Sequence, residues 1–135
     1  MSGPAMYTIF KDHTFAAAHS IRGHRGECAH LHGHNYRVRV HVAAPSLDEV
    51  GMVVDFADLK AILGEVLGPF DHRVVNDVPP FDELNTTAEL LAEHVFTEVD
   101  RRLVERFGGR PRVCRVEVWE SDSACAAFEP DGDGR

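Results

Sequence analysis

Cys28, His30, His32 and His34 recur at alternate positions, and His19 stands upstream behind the apolar run Phe15-Ala16-Ala17-Ala18. Imidazole and thiolate are the ligands zinc prefers, and a catalytic zinc takes three protein ligands and keeps a fourth position open. If the chain past Gly33 is extended, the period of two puts His32 and His34 on one side of a strand, near enough to share an ion. His19 would be the third ligand. The blander reading is a solvated surface cluster, since the chain holds nine histidines; the alternation favours the metal. Spacing leaves Cys28 with three roles: a fourth ligand closing a structural site, a small buried hydrophobe, or a catalytic thiol beside a three-histidine zinc.

Two further places carry chemistry. In Asp71-His72 a carboxylate beside an imidazole could fix its tautomer and raise its basicity, which suits proton transfer near neutral pH. Two solvated polar residues in a helix-end loop explain the same letters, and on the residues alone that reading is preferred. Glu120 ends a strand on its apolar parity, where a carboxylate is costly to bury unpaired. It is either an exposed strand end or an acceptor for a ligand edge rich in N–H donors, which a carboxylate binds in bidentate fashion.

These residues need elements to hold them. Tyr7 to Phe15 reads as a first strand, followed by a Gly-containing loop from Ser20 to Cys28. From His34 onward Tyr36, Val38, Val40 and Val42 alternate with Asn35, Arg37, Arg39 and His41, the pattern of a half-buried strand. After a polar turn at Pro45 to Gly51 and a short extended Met52 to Val54, Asp55 caps a helix. Its apolar face is Phe56, Leu59, Ile62, Leu63, Val66 and Leu67, and Gly68-Pro69 stops it. Thr86-Thr87-Ala88-Glu89 is a capping box opening a helix from Thr87 to about Phe107, with Leu90, Leu91, Val95, Val99, Leu103 and Val104 on one side and Gly108-Gly109-Arg110-Pro111 at its end. Val113 to Glu120 is a strand with Cys114, Val116, Val118 and Glu120 on one face, and Ala124 to Phe128 a last short one. The order strand, strand, helix, helix, strand, strand predicts an α+β domain: an antiparallel four-stranded sheet with two helices on one face.

The 135 residues fit one domain, 1-135, with loose ends at about 1–5 and 131–135. A formal net charge of -8 argues against nucleic acid or an acidic membrane as partner. Three widely spaced cysteines do not form a disulfide framework, and neither a leader nor a spanning segment is visible, so a reducing, cytoplasmic setting is expected.

Six motifs in order, Phe15-Ala16-Ala17-Ala18-His19, Cys28 with His32-Gly33-His34, Gly51-Met52-Val53-Val54-Asp55-Phe56 with Leu59-Lys60, Asp71-His72, Asn85-Thr86-Thr87-Ala88-Glu89 and Glu120-Ser121, resemble the 6-pyruvoyl-tetrahydropterin synthase and 6-carboxytetrahydropterin synthase family. The likeness covers nearly the whole chain. It implies the tunnelling fold, in which small subunits join their sheets into a barrel, usually a hexamer made of two trimers. It also implies Zn2+ on His19, His32 and His34, Cys28 as catalytic thiol, Asp71 and His72 as a proton-transfer dyad acting across a subunit boundary, Glu120 as pterin anchor, and Thr86, Thr87 and Glu89 in the pterin pocket.

The short gap between Cys28 and His32, with Val54-Asp55-Phe56, resembles the carboxy-forming branch that feeds 7-deazaguanine and queuosine synthesis. That branch converts 7,8-dihydroneopterin triphosphate to 6-carboxytetrahydropterin with acetaldehyde and triphosphate. The alternatives are a pyruvoyl-forming enzyme, a relative acting on another pterin, or, from another class, a zinc-binding protein that holds a pterin without turnover. Three departures bear on triphosphate recognition: Glu27 where a cation often precedes the thiol, Thr86 where Pro is common, and Ala124 to Pro130 without the usual Tyr and basic residue.

Overall fold

A computed structural model describes residues 6–131; the loose ends expected at the termini, Asp131 apart, lie outside the described residues. Five strands form one sheet: β1 Tyr7–His19, β2 His32–Ala44, β3 Arg73–Val74, β4 Arg112–Ser121 and β5 Ala124–Phe128, in the order β3-β1-β2-β4-β5. The four expected antiparallel strands are all present, and β3 adds a two-residue parallel pairing to β1. Helices α1 Phe56–Leu67 and α2 Ala88–Phe107 cover one face, α1 against β1 and α2 against β4 and β5. Neither is long and apolar enough to cross a membrane. A single chain leaves the sheet open.

Alternation along β2 explains the layering. Tyr36, Val38, Val40, Val42 and Ala44 are buried toward the helices while the intervening residues are partly exposed, and α1 and α2 meet them with Leu59, Ile62, Leu63, Leu67, Leu91, Val95, Val99 and Leu103. Asp55 caps α1 by accepting from the Ala57 N–H. Gly108 ends α2 at φ 75°, a left-handed position that costs a residue with a Cβ far more than glycine.

Several local expectations are corrected. β1 runs on through the alanines to His19, because full pairing with β2 (Ala17 opposite His34, His19 opposite His32) overrides alanine's weak strand preference. β2 likewise begins at His32, two residues early. Met52 to Val54 forms no strand, although Val53 and Val54 are buried. Phe56 and Val104 are 53% and 39% exposed, so neither belongs to its helix's core face. The cap of α2 is Thr87, whose side chain accepts from Leu90 N, leaving Thr86 outside the helix. In β4 a bulge opposite His41/Val42 turns Val113 inward in place of Cys114; Val116 and Val118 keep the expected face.

His94 on α2 lies edge-on to Phe70 and Phe81, with ring centroids 5.8 and 5.4 Å away. Burial pushes its pKa below the ordinary histidine value, against the pull of Glu98. The unfolded chain therefore takes up this proton first as pH falls, so the stability tied to neutral His94 is present above about pH 6.5 and is lost below it. His13 and His19 shift the same way, burial again leading. In the metal-free protein the urea midpoint is expected to drop between about pH 7.5 and 5, and His94→Leu to reduce that slope. An unchanged slope would assign it to other groups.

A three-histidine site at the end of the sheet

β1 and β2 end side by side, so His19 and His32 are direct cross-strand partners and His34 follows on the same face. That face is the buried one. The three rings stand edge-on to one another with centroids 4.6, 5.1 and 4.8 Å apart, and one ring nitrogen from each falls within a 4.8 Å cluster. Among the described residues it is the one group of histidine, cysteine and acidic side chains so arranged. Cys28 and His30 are outside it, which removes geometric support for Cys28 as a closing fourth ligand.

Hydrogen bonds fix which nitrogens are presented. His19 Nδ1 lies 2.8 Å from the Thr86 carbonyl and His32 Nδ1 2.7 Å from the His30 carbonyl. A carbonyl only accepts, so each Nδ1 is the donor, and in the neutral ring that leaves Nε2 with the lone pair. Histidines that ligate metals are oriented in this way. His19 is fully buried, and its Nε2 has no hydrogen-bond partner among the described residues. Burial pushes its pKa below the usual range, against the Thr86 carbonyl and the Glu120 carboxylate, which favours the neutral, ligating form. An orphaned buried nitrogen aimed at two further imidazoles fits a zinc ion.

The loop after His19 is held by amide side chains that the sequence reading did not single out for this role. Asn76 pairs with both backbone groups of Ser20, accepting from N at 2.9 Å and donating to O at 2.9 Å. Asn85 does the same for Arg22 at 3.0 and 2.9 Å and also accepts from Thr86 N. Arg22 returns its guanidinium to the carbonyls of Leu84 and Phe81. Together they carry the Thr86 carbonyl to His19. Asn85→Ala is expected to cost about 1–3 kcal/mol of stability by stranding those backbone groups, and to weaken zinc binding about tenfold through His19. Urea unfolding and a zinc competition titration check both.

The other expected site residues are placed as follows. Thr86 is fully buried and donates its hydroxyl to the Ser20 carbonyl at 3.0 Å. Thr87 is taken up as the cap, and Glu89 is exposed in the first turn of α2. Glu120 is no exposed strand end: its Oε2 lies 3.6 Å from His19 Nε2 and 3.9 Å from His34 Nε2. Cys28 sits half-buried in a 3-10 turn, Glu27–Ala29, whose Cys28 carbonyl accepts from Ile21 N.

Asp71 and His72 do form a pair, Oδ1 to Nδ1 at 3.0 Å. Asp71 accepts from Ala16 N and His72 donates its N–H to Ala16 O, docking the pair on the edge of β1. The Ala16 N–H, with His72 beside it, holds the Asp71 carboxyl below its ordinary value. His72 adopts φ 59°, an uncommon conformation for a residue with a side chain, of the kind found where a side chain must be aimed. Its side chain is 81% exposed and lines a shallow cavity of about 500 Å³ with Ala16, Ala17, Ala18, Gly33, His34 and Asn35.

The profile described as 6-pyruvoyl tetrahydropterin synthase matches residues 8–131. The chain belongs to that family. Its relatives include a 6-carboxy-5,6,7,8-tetrahydropterin synthase of Synechocystis sp., 35% identical over 91% of this chain and 93% of that one. A putative 6-carboxy-5,6,7,8-tetrahydropterin synthase of Archaeoglobus fulgidus is 41% identical over 84% and 87%. Among solved structures, the 6-pyruvoyl tetrahydropterin synthase of Caenorhabditis elegans superposes with a TM-score of 0.81 at 25% identity, covering 96% of this chain and 99% of that one. Membership in the 6-pyruvoyl tetrahydropterin synthase family makes the fold the tunnelling fold and the chain a pterin enzyme of the lyase type.

Proposed function

We propose that the protein is a zinc-dependent lyase that converts 7,8-dihydroneopterin triphosphate and one water to 6-carboxy-5,6,7,8-tetrahydropterin, releasing acetaldehyde and triphosphate. The observation that carries this reading is the unpartnered His19 Nε2 in a three-imidazole cluster, in a chain whose Synechocystis and Archaeoglobus relatives are named for the carboxy product. The pathway would be that of 7-deazaguanines and queuosine.

His19, His32 and His34 would hold the zinc, which when bound supplies Lewis-acid polarisation of hydroxyl oxygens on the pterin side chain. Cys28 takes and returns a proton at the side-chain carbons. Asp71 fixes the His72 tautomer through Nδ1, so that Nε2 exchanges a proton with substrate or thiol. Glu120 accepts N–H bonds from the pterin edge, and Thr87 and Glu89, with the Thr86 backbone, border that pocket. In the family pattern the dyad serves the site of a neighbouring subunit, which calls for a homo-oligomer, a hexamer of two trimers; the 81% exposure of the His72 side chain leaves it open to such a neighbour. Closure of the sheet between subunits would also remove its open edges.

The test is to incubate zinc-loaded protein with dihydroneopterin triphosphate, identify the pterin by mass and assay acetaldehyde. A 6-carboxy product with stoichiometric acetaldehyde is expected. A pyruvoyl product without acetaldehyde would move the protein to the other branch.

A further inference from the structure

Beyond the tip clamped by Asp71 and His72, the outer edge of β1 is open: among the described residues β3 pairs with it only at Ala17 and Ala18. Cations gather along that edge. The chain has two lysines, Lys11 and Lys60. Lys11 lies on β1 and Lys60 on α1, which packs against β1, and both are near enough for their charges to act on half-buried His13, as is Asp71. At the other end of the row Arg73 is paired with Ala17, which is paired in turn with His34, and all three line the cavity that His72 lines.

The side chains of Lys11, Lys60 and Arg73 enter no ion pair or hydrogen bond among the described residues, whereas the arginines of α2 and Arg39, Arg112 and Arg115 on the sheet are held by carboxylates. The carboxylates of the row are already taken. Asp12 is held by Arg39, and Asp71 by Ala16 N and His72. In a chain of net charge -8, cations left over along one edge are placed for an anion that the chain does not itself supply.

We propose that Lys11, Lys60 and Arg73 form a polyphosphate strip that receives the triphosphate tail of the substrate. The proposal rests on the pterin lyase reading above and deepens it. If His72 exchanges a proton near the side-chain carbons, the phosphates at the end of that side chain lie within a few bonds of His72, and the strip begins at the next residue. Its length suits a tail better than a single phosphate. Lys11 and Ala17 are about 20 Å apart along the strand, a gap that two long side chains and a three-phosphate tail span together. Arg73 can grip one phosphate in bidentate fashion while the lysines act as point charges.

Zinc-loaded full-length protein and the variants Lys11→Gln, Lys60→Gln and Arg73→Gln are titrated in a calorimeter with inorganic tripolyphosphate and with dihydroneopterin, which lacks the phosphates. Contact of either ligand with the metal is common to all four proteins and cancels in the comparison. The wild type is expected to bind tripolyphosphate, and each substitution to weaken it by about 10–100-fold, the weight of a hydrogen bond to a charged group. Dihydroneopterin should bind all four alike, and KM for its triphosphate should rise in step with the lost tripolyphosphate affinity. Lys60 and Arg73 are exposed, so their variants decide the matter even if Lys11→Gln does not fold. Tripolyphosphate bound equally by wild type and folded variants, or by none of them, overturns the strip. Unchanged tripolyphosphate binding with altered sedimentation also overturns it and assigns the cations to a contact between copies of the chain. Carboxy product made by the variants at the wild-type KM overturns the strip and leaves the lyase reading standing. A wild type that binds tripolyphosphate but leaves dihydroneopterin triphosphate unconverted keeps the strip and overturns that reading.

Discussion

Replacing His32 by alanine is expected to strip the protein of zinc while leaving its fold in place. Structural zinc sites bind with about 10–16 kcal/mol spread over four ligands, so one ligand carries roughly 3–4 kcal/mol, or about 10²–10³-fold in affinity. His32 is half-buried, and its hydrogen bond goes to the His30 carbonyl nearby in an exposed loop, so little else depends on it. His19→Ala differs. That ring is fully buried and satisfies the Thr86 carbonyl, so its loss leaves a void and an unpaired acceptor, and the melting temperature should fall together with zinc content. Metal content after dialysis and thermal unfolding of the two variants separate the cases. Retention of stoichiometric zinc by His32→Ala would remove it from the ligand set.

Cys28→Ala and His72→Ala are each expected to lower turnover by about 10²–10⁴-fold, the usual contribution of a positioned acid or base, with zinc retained. Neither residue lies in the histidine cluster. On the proposed reading the dyad acts across a subunit boundary from the thiol, so the two lesions would fall in different halves of a shared site. Subunits of the two variants, unfolded together and reassembled, should recover a fraction of wild-type activity, because some sites then combine an intact thiol with an intact dyad. Each variant refolded alone should not. No recovery in the mixture would place thiol and dyad in one chain's site, and loss of zinc from Cys28→Ala would make the thiol a ligand.

The histidine cluster was legible because a strand's period of two is rigid: once Tyr36, Val38 and Val40 face inward, His34 and His32 must too. Glu120 was placed correctly by the same parity, counted from Val116 and Val118. Cys114 was not, because a bulge adds a residue without changing the letters around it. Length was missed where propensity misleads. The alanines before His19 look like poor strand, yet thirteen cross-strand pairs hold them extended and carry His19 to His32.

Backbone chemistry left the least trace. Nothing in the letters says that the Thr86 carbonyl orients His19, or that the amides of Asn76 and Asn85 replace a missing sheet partner for Ser20 and Arg22. A capping box at Thr86 was a fair expectation that lost to Thr87, since the Thr86 hydroxyl is drawn to Ser20. The short strand β3 has no periodicity to detect. It exists because Asp71 and His72 clamp Ala16 immediately before it.

The most direct measurement is turnover of dihydroneopterin triphosphate by protein stripped with a chelator, then titrated with Zn2+ under metal-free buffers. Consumption of substrate is expected to be absent in the stripped protein and to rise linearly to a break at one zinc per chain. Undiminished turnover in protein shown to hold no metal would contradict a zinc-dependent site built on His19, His32 and His34.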